Sequence, residues 1–185
     1  MDALTPSEGA LAVQLARSVL VHAIGGRNEE NMSLPPVFRE KRGVFVTLTM
    51  QGELRGCIGF PHPHLLLEQA IRDAAYAAAR EDPRFPPVQA RELSRIRIEV
   101  TVLSVPELMN AAPGERPGAV QVGRHGLIIS GYGRSGLLLP QVPVEWKWDS
   151  REFLDHTCLK AGLPPGCWKE KGVEVYTFEG QIFHE

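Results

Sequence analysis

Residues 43–60 leave the chain little choice but an antiparallel hairpin. Val44, Phe45, Val46, Thr47, Leu48 and Thr49 alternate in the manner of a half-buried strand. Gln51-Gly52 then supplies a two-residue turn of the kind that joins twisted strands. Residues 53–60 return as the second strand. A two-residue turn pairs Val46 with Cys57 and Leu48 with Arg55, which sets both residues on an apolar face. An arginine on such a face needs a charged partner or a water-filled cleft, because a lone buried charge is expensive. Since an isolated hairpin is marginal in water, further strands or helices must cover one side of it.

The flanking sequence supplies them. Thr5-Pro6-Ser7-Glu8 combines a capping residue, a proline at the first helical position and a carboxylate three residues after the cap. Leu11, Leu15, Val19 and Ala23 then form one face of a helix that Gly25-Gly26 ends. A second helix is expected over residues 65–80, its many alanines implying close packing. Residues 95–103 alternate Ile96, Ile98, Val100 and Val102 with Arg97, Glu99 and Thr101, which is strand patterning. Short strands are expected at 120–130 and 137–142 around a turn at 131–136. Asp149-Ser150-Arg151-Glu152 is a second capping box, opening a helix that Gly162 stops. Strands at 173–178 and 181–183 follow.

Residues 104–118 shift towards Pro, Gly, Asn and Ala and read as a linker, and Pro164-Pro165-Gly166 as a second one. Strands and helices do not alternate as parallel sheets require. The expected architecture is therefore α+β and two-lobed. A larger lobe (about 1–104 and 171–185) has an antiparallel sheet flanked by helices, and a smaller lobe (about 105–170) has its own short antiparallel sheet.

The stretch Leu54-Arg55-Gly56-Cys57-Ile58-Gly59 is the expected functional centre. In a strand Arg55, Cys57 and Gly59 share one side, and Leu54, Gly56 and Ile58 the other. Glycine inside a strand marks a bulge or the close approach of a ligand or another backbone, so Gly56 and Gly59 are candidate substrate contacts. Arg55 beside Cys57 suits a nucleophilic thiolate or an anion site. A buried, inert cysteine fits the residue type equally well. Glu99 is the candidate partner of Arg55 and a candidate substrate contact, with a solvated carboxylate as its alternative, and His125 a candidate substrate contact, with a turn or strand-edge residue as its alternative. Asp82 and Arg84 either extend a polar wall or only reverse the chain.

Cys57, His62 and His64 lack the second cluster that a metal site needs, so neither metal nor cofactor is expected. Cys158 and Cys167 read as a core filler and a packed turn residue. With three cysteines, no secretory pattern at Met1-Asp2 and no apolar run near the roughly 20 residues of a membrane span, the expectation is a cytoplasmic protein with reduced thiols. The net charge of −2 speaks against non-specific binding of a polyanion.

Leu54 to Gly59, with Asp82-Pro83-Arg84-Phe85-Pro86-Pro87, Ile98-Glu99-Val100, His125-Gly126-Leu127, Leu139-Pro140-Gln141-Val142 and Lys160-Ala161-Gly162-Leu163, resembles the AMMECR-type family, protein A of the AmmeMemoRadiSam system. The resemblance covers nearly the whole chain. It implies a larger lobe containing both termini, a smaller lobe, and a signature strand facing a wide inter-lobe cleft suited to a protein or nucleic-acid substrate. It also implies a Memo-type protein and a radical SAM protein as partners. Two functions follow as expectations: a cysteine-centred enzyme or enzyme subunit, or a non-catalytic recognition module that serves those partners.

Overall fold

The computed structural model describes residues 3–28 and 32–185. The expectation at Met1-Asp2 lies outside the described residues. Both capping boxes form as read. Thr5 and Glu8 close the start of α1 (Pro6–Gly25), and Asp149 and Glu152 close the start of α5 (Ser150–Lys160). Each satisfies backbone N–H groups that a helix start leaves without partners.

The chain folds as two compact units, residues 1–104 with 181–185, and residues 105–180. The first is built on β1 (Val44–Met50), β2 (Glu53–Phe60), β3 (Ile96–Leu103) and β8 (Gly180–His184), in the order β2-β1-β3-β8. Val44, Val46 and Leu48 of β1 and Ile96, Ile98, Val100 and Val102 of β3 are buried, and α1 and α2 (Leu67–Arg80) pack with them. Ala70, Ala74, Ala75 and Ala78 of α2 are buried as well. Small side chains let this helix lie close on the strands, at some loss of apolar area per residue.

The second unit carries the order β4-β7-β5-β6, from β4 (Glu107–Leu108), β5 (Gly126–Gly131), β6 (Arg134–Leu138) and β7 (Val173–Phe178). Leu127, Ile129, Val173 and Val175 bury against Phe153, Leu154 and Trp168, with α5 backing β5 and β6. Two short helices, α3 (Arg116–Ala119) and α4 (Gln141–Glu145), complete it. The strand expected at 137–142 thus ends at Leu138. Pro140 and the residues after it turn into α4, where proline sits comfortably in a first turn. The hairpin turn is Tyr132-Gly133, both with positive φ, which is the backbone a two-residue connection demands.

Three further expectations need correction. The late strands divide between the sheets, because β7 pairs with β5 from Gly126↔Phe178 to Gly131↔Val173. Residues 171–180 therefore belong to the second unit, and only 181–185 return to the first. Pro164-Pro165-Gly166 is an internal turn of the second unit and not a linker. Asp155 accepts from Gly166 N and from the Trp168 indole, both at 2.7 Å. Finally, Cys158 and Cys167 are disulfide-bonded, with Cα atoms 6.1 Å apart. The turn after α5, with Gly162 and Gly166 at positive φ, brings Cys167 back over the helix face that carries Cys158. Their sequence separation of nine gave no metal or redox pattern, so only the turn geometry reveals the pair.

A closed loop of this size removes about 2–3 kcal/mol of unfolded-state entropy. Reduction, or the double substitution Cys158→Ala with Cys167→Ala, should lower the melting temperature of the second unit by several degrees in calorimetry. Unchanged melting would show that the bond contributes nothing.

Candidate functional site

β2 is an edge strand, and its pairing with β1 slips by one residue. Met50 faces Glu53 and Thr49 faces Leu54, but Leu48 faces Gly56, so Arg55 is the extra residue of a β-bulge. A slip of one residue sends every later side chain to the opposite face. Cys57 therefore pairs with Thr47 and not with Val46. The predicted pairing of Leu48 with Arg55 and of Val46 with Cys57 is corrected accordingly. Cys57 leaves the apolar face and stands half-exposed on the other, 3.3 Å from the Thr47 hydroxyl.

That second face is polar. Thr47 pairs across β1–β3 with Glu99, whose carboxylate lies 3.4 Å from His184 Nδ1 on β8. Cys57, Thr47, Glu99 and His184 thus form a row across all four strands. Glu99 was expected to neutralise Arg55, but β1 separates their strands. The partner of Arg55 is Glu92, gripped through two bonds of 2.9 and 3.2 Å. Side-chain exposures of 11% and 15% make this a nearly buried pair, and the bond from Arg55 is the chief reason that the Glu92 carboxyl is held below its ordinary range. The water-filled cleft that Arg55 seemed to need is replaced by a carboxylate.

The glycines serve the protein's own packing. A Cβ on Gly56 would stand 2.1 Å from the Ala78 carbonyl oxygen of α2. At Gly59 it would meet the Phe45 ring at 2.3 Å and the Val44 carbonyl oxygen at 2.5 Å. Close approach of helix and neighbouring strand, the other reading of a glycine inside a strand, accounts for both positions.

The backbone of Cys57 is fixed from outside the sheet. Its N–H donates to Asp82 Oδ2 at 2.9 Å, and its carbonyl accepts from Arg84 Nη2 at 3.0 Å. Both groups thus point away from β1, which makes Thr47–Cys57 a non-hydrogen-bonded pair, the type with the closer side chains. Asp82 also accepts from the Arg84 backbone N–H and guanidinium. Its side chain is 2% exposed while that of Arg84 is 53%, so a buried carboxylate is reached by a cation from the surface. The Arg84 bonds hold the Asp82 carboxyl well below the usual carboxylate range, against burial, with the Cys57 N–H helping. The proline-rich run therefore both reverses the chain and clamps the edge strand at Cys57, which blunts an edge that would otherwise offer open hydrogen bonds.

His125 belongs to the second unit. Its Nδ1 accepts the Gln121 N–H at 3.2 Å, which requires an unprotonated Nδ1, and burial lowers its pKa. It closes the turn before β5, the alternative already recognised for it. Among the described residues no group of three or more His, Cys, Asp or Glu is placed to hold a metal ion. Thr47, Glu92 and His184 escaped sequence reading, and the glycine beside Arg55 was the one sign of the bulge that brings Thr47 to the thiol.

Two four-stranded antiparallel sheets, each backed by helices, with the signature hexapeptide on an edge strand of the first, define an α+β protein of the kind the resemblance implied. The chain belongs to the AMMECR1 family, whose profile matches residues 13–183. It is similar to a protein of Methanosarcina acetivorans, 55% identical over 98% of this chain and 94% of the other. A protein of Methanocaldococcus jannaschii is 50% identical over 100% and 94%. The crystal structure of an uncharacterised protein from Pyrococcus horikoshii shares the fold with a TM-score of 0.82 and 47% identity, over 98% of this chain and 93% of that one. No helix among the described residues is long and apolar enough to cross a membrane.

Two substitutions test this construction. Gly56→Ala drives a methyl into the Ala78 carbonyl and should cost about 3 kcal/mol of stability by overpacking. Asp82→Asn should cost about 2 kcal/mol by weakening a charged hydrogen-bond cluster. Because the folded-state pKa of Asp82 is depressed, its contribution is complete above the unfolded value of 3.8 and fades as pH falls below it. Denaturant unfolding of both proteins should show a constant gap at neutral pH that narrows below about pH 4. A gap independent of pH would refute the charged clamp.

Proposed function

We propose that this protein acts through Cys57, as a cysteine-centred enzyme or enzyme subunit whose macromolecular substrate meets the polar face of the first sheet. The supporting observation is the clamp. A free, half-exposed thiol has both backbone groups held by a buried carboxylate and its arginine, which fixes the position of Sγ as a reacting group requires. The chemistry on offer is nucleophilic attack by the thiolate, with the Thr47 hydroxyl as hydrogen-bond donor to the sulfur. Glu99 and His184, further along the row, supply polar contacts for the substrate. A cytoplasmic setting keeps such a thiol reduced, while burial shields the Cys158–Cys167 bond from reductants.

A second reading is a non-catalytic recognition module for a Memo-type or radical SAM partner. It is favoured by the charge arrangement around the sulfur: Arg55 is paired with Glu92, and Arg84, the cation that reaches Cys57, is held in an ion pair by Asp82.

Mass spectrometry of the protein isolated from its native host, before and after mild base, separates the two. The enzyme reading expects an adduct on Cys57 that Cys57→Ser lacks and that Asp82→Asn reduces, together with Cys57→Ala reproducing the gene deletion. An unmodified Cys57 and a Cys57→Ala strain equal to wild type would sink it. If in addition Memo-type or radical SAM protein is retained by tagged Cys57→Ala but not by tagged Arg84→Glu, the recognition reading stands.

A further inference from the structure

The first unit holds a feature that the Cys57 site does not use. A hollow of about 600 Å³ opens beside the C-terminal half of α1, residues 90–94 and the start of β3. Four of its eleven lining residues are arginines, Arg17, Arg27, Arg91 and Arg97, against a single acidic residue, Glu185. This concentration arises in a chain whose net charge is −2. Like charges gathered around one concavity repel each other and focus a positive potential into it.

One wall is rigid and already shows what it recognises. Arg17 donates through Nη1 to the Leu93 carbonyl at 2.9 Å and through Nη2 to the Ile96 carbonyl at 2.7 Å. Its remaining edge grips the Glu185 carboxylate through Nε at 2.8 Å and through Nη2. Arg27, Arg91 and Arg97 are exposed, and among the described residues none has an ion-pair partner. Three exposed arginines thus line the hollow, with the Glu92 carboxylate, already gripped by Arg55, near Arg91. Val21, Leu93 and Ile96 give it an apolar side.

We propose that this hollow binds a small ligand bearing clustered phosphate groups, of the size and class of a nucleoside polyphosphate. A volume of about 600 Å³ falls within the range of ordinary small-molecule sites. Guanidinium forks pair phosphate oxygens two at a time, and three exposed arginines around one hollow match a ligand of several negative charges better than a lone carboxylate, which Arg17 alone already serves. The apolar side accommodates a ring. The small negative net charge favours a compact ligand over a nucleic-acid strand, which needs a basic track along its backbone. The Glu185 carboxylate competes with the ligand for the same positive field.

Isothermal titration calorimetry on the full chain at near-physiological salt tests this, with sodium pyrophosphate and ATP as probes and no metal added. Dissociation constants of about 1–100 μM are expected for wild type. Arg91→Ala and Arg97→Ala should each weaken binding about tenfold, with melting temperatures within about 2 °C of wild type because both side chains are exposed. Glu185→Gln should tighten it. Absence of heat with both probes up to about 5 mM, or unchanged affinity in the Arg91→Ala, Arg97→Ala double variant, overturns the proposal. So does a single-stranded oligonucleotide that binds more than about tenfold tighter than ATP and loses that affinity in the same variants.

Discussion

The carboxylate of Asp82 is the contact on which the first unit turns. It lies just beyond the end of α2, is almost wholly withdrawn from water, and bonds the N–H of Cys57 on the outer edge of the sheet while Arg84 closes over both. Without it the edge of β2 would present an open donor and acceptor beside a half-exposed thiol. With it, the end of α2 and β2 become one body, and the close contact between Gly56 and the Ala78 backbone is held in place. Buried charge pairs are weak sources of net stability when compared with apolar packing, yet removing one member leaves the other stranded. Asp82 is therefore better understood as fixing where Cys57 stands than as a large contribution to folding.

Much of this fold is written locally. The turn at Gln51-Gly52, the two capping boxes and the alternation over β1 and β3 depend on residues only a few positions apart, and each forms as its pattern dictates. The two late strands are equally visible as strands. What local pattern cannot state is partnership: β7 and β8 are separated by one residue, yet they join different sheets. The same holds for Cys158 and Cys167, whose pairing depends on how a glycine-bearing turn folds back.

At the candidate site the decisive fact is one residue long. The bulge at Arg55 reverses the faces that a regular hairpin assigns, so that the thiol meets Thr47 and the polar side of the sheet instead of Val46 and the core. The sequence marks Cys57 and Arg55 as unusual, but their roles divide differently from what adjacency suggests. Arg55 becomes structural through Glu92, and the cation near Cys57 is Arg84, twenty-seven positions later. Charge partners reached across a helix and a turn are invisible to strand periodicity, which sees only neighbours on one face.

The strand order β2-β1-β3-β8 has a consequence for how the chain is made. β3 and β8 share a sheet, yet the whole second unit, residues 105–180, is interposed between them. During synthesis the first sheet must wait, with three strands formed and one edge of β3 open, while about seventy-five residues fold elsewhere. Closing such a distant pair is slow, because the entropy of the intervening loop is lost before the contact is gained. A second unit that compacts early shortens that loop and brings its ends together. The pairing of Glu107 with Thr177 and of Leu108 with Tyr176, near the two ends of residues 105–180, then acts, in time, as the hinge pin on which completion of the other sheet depends.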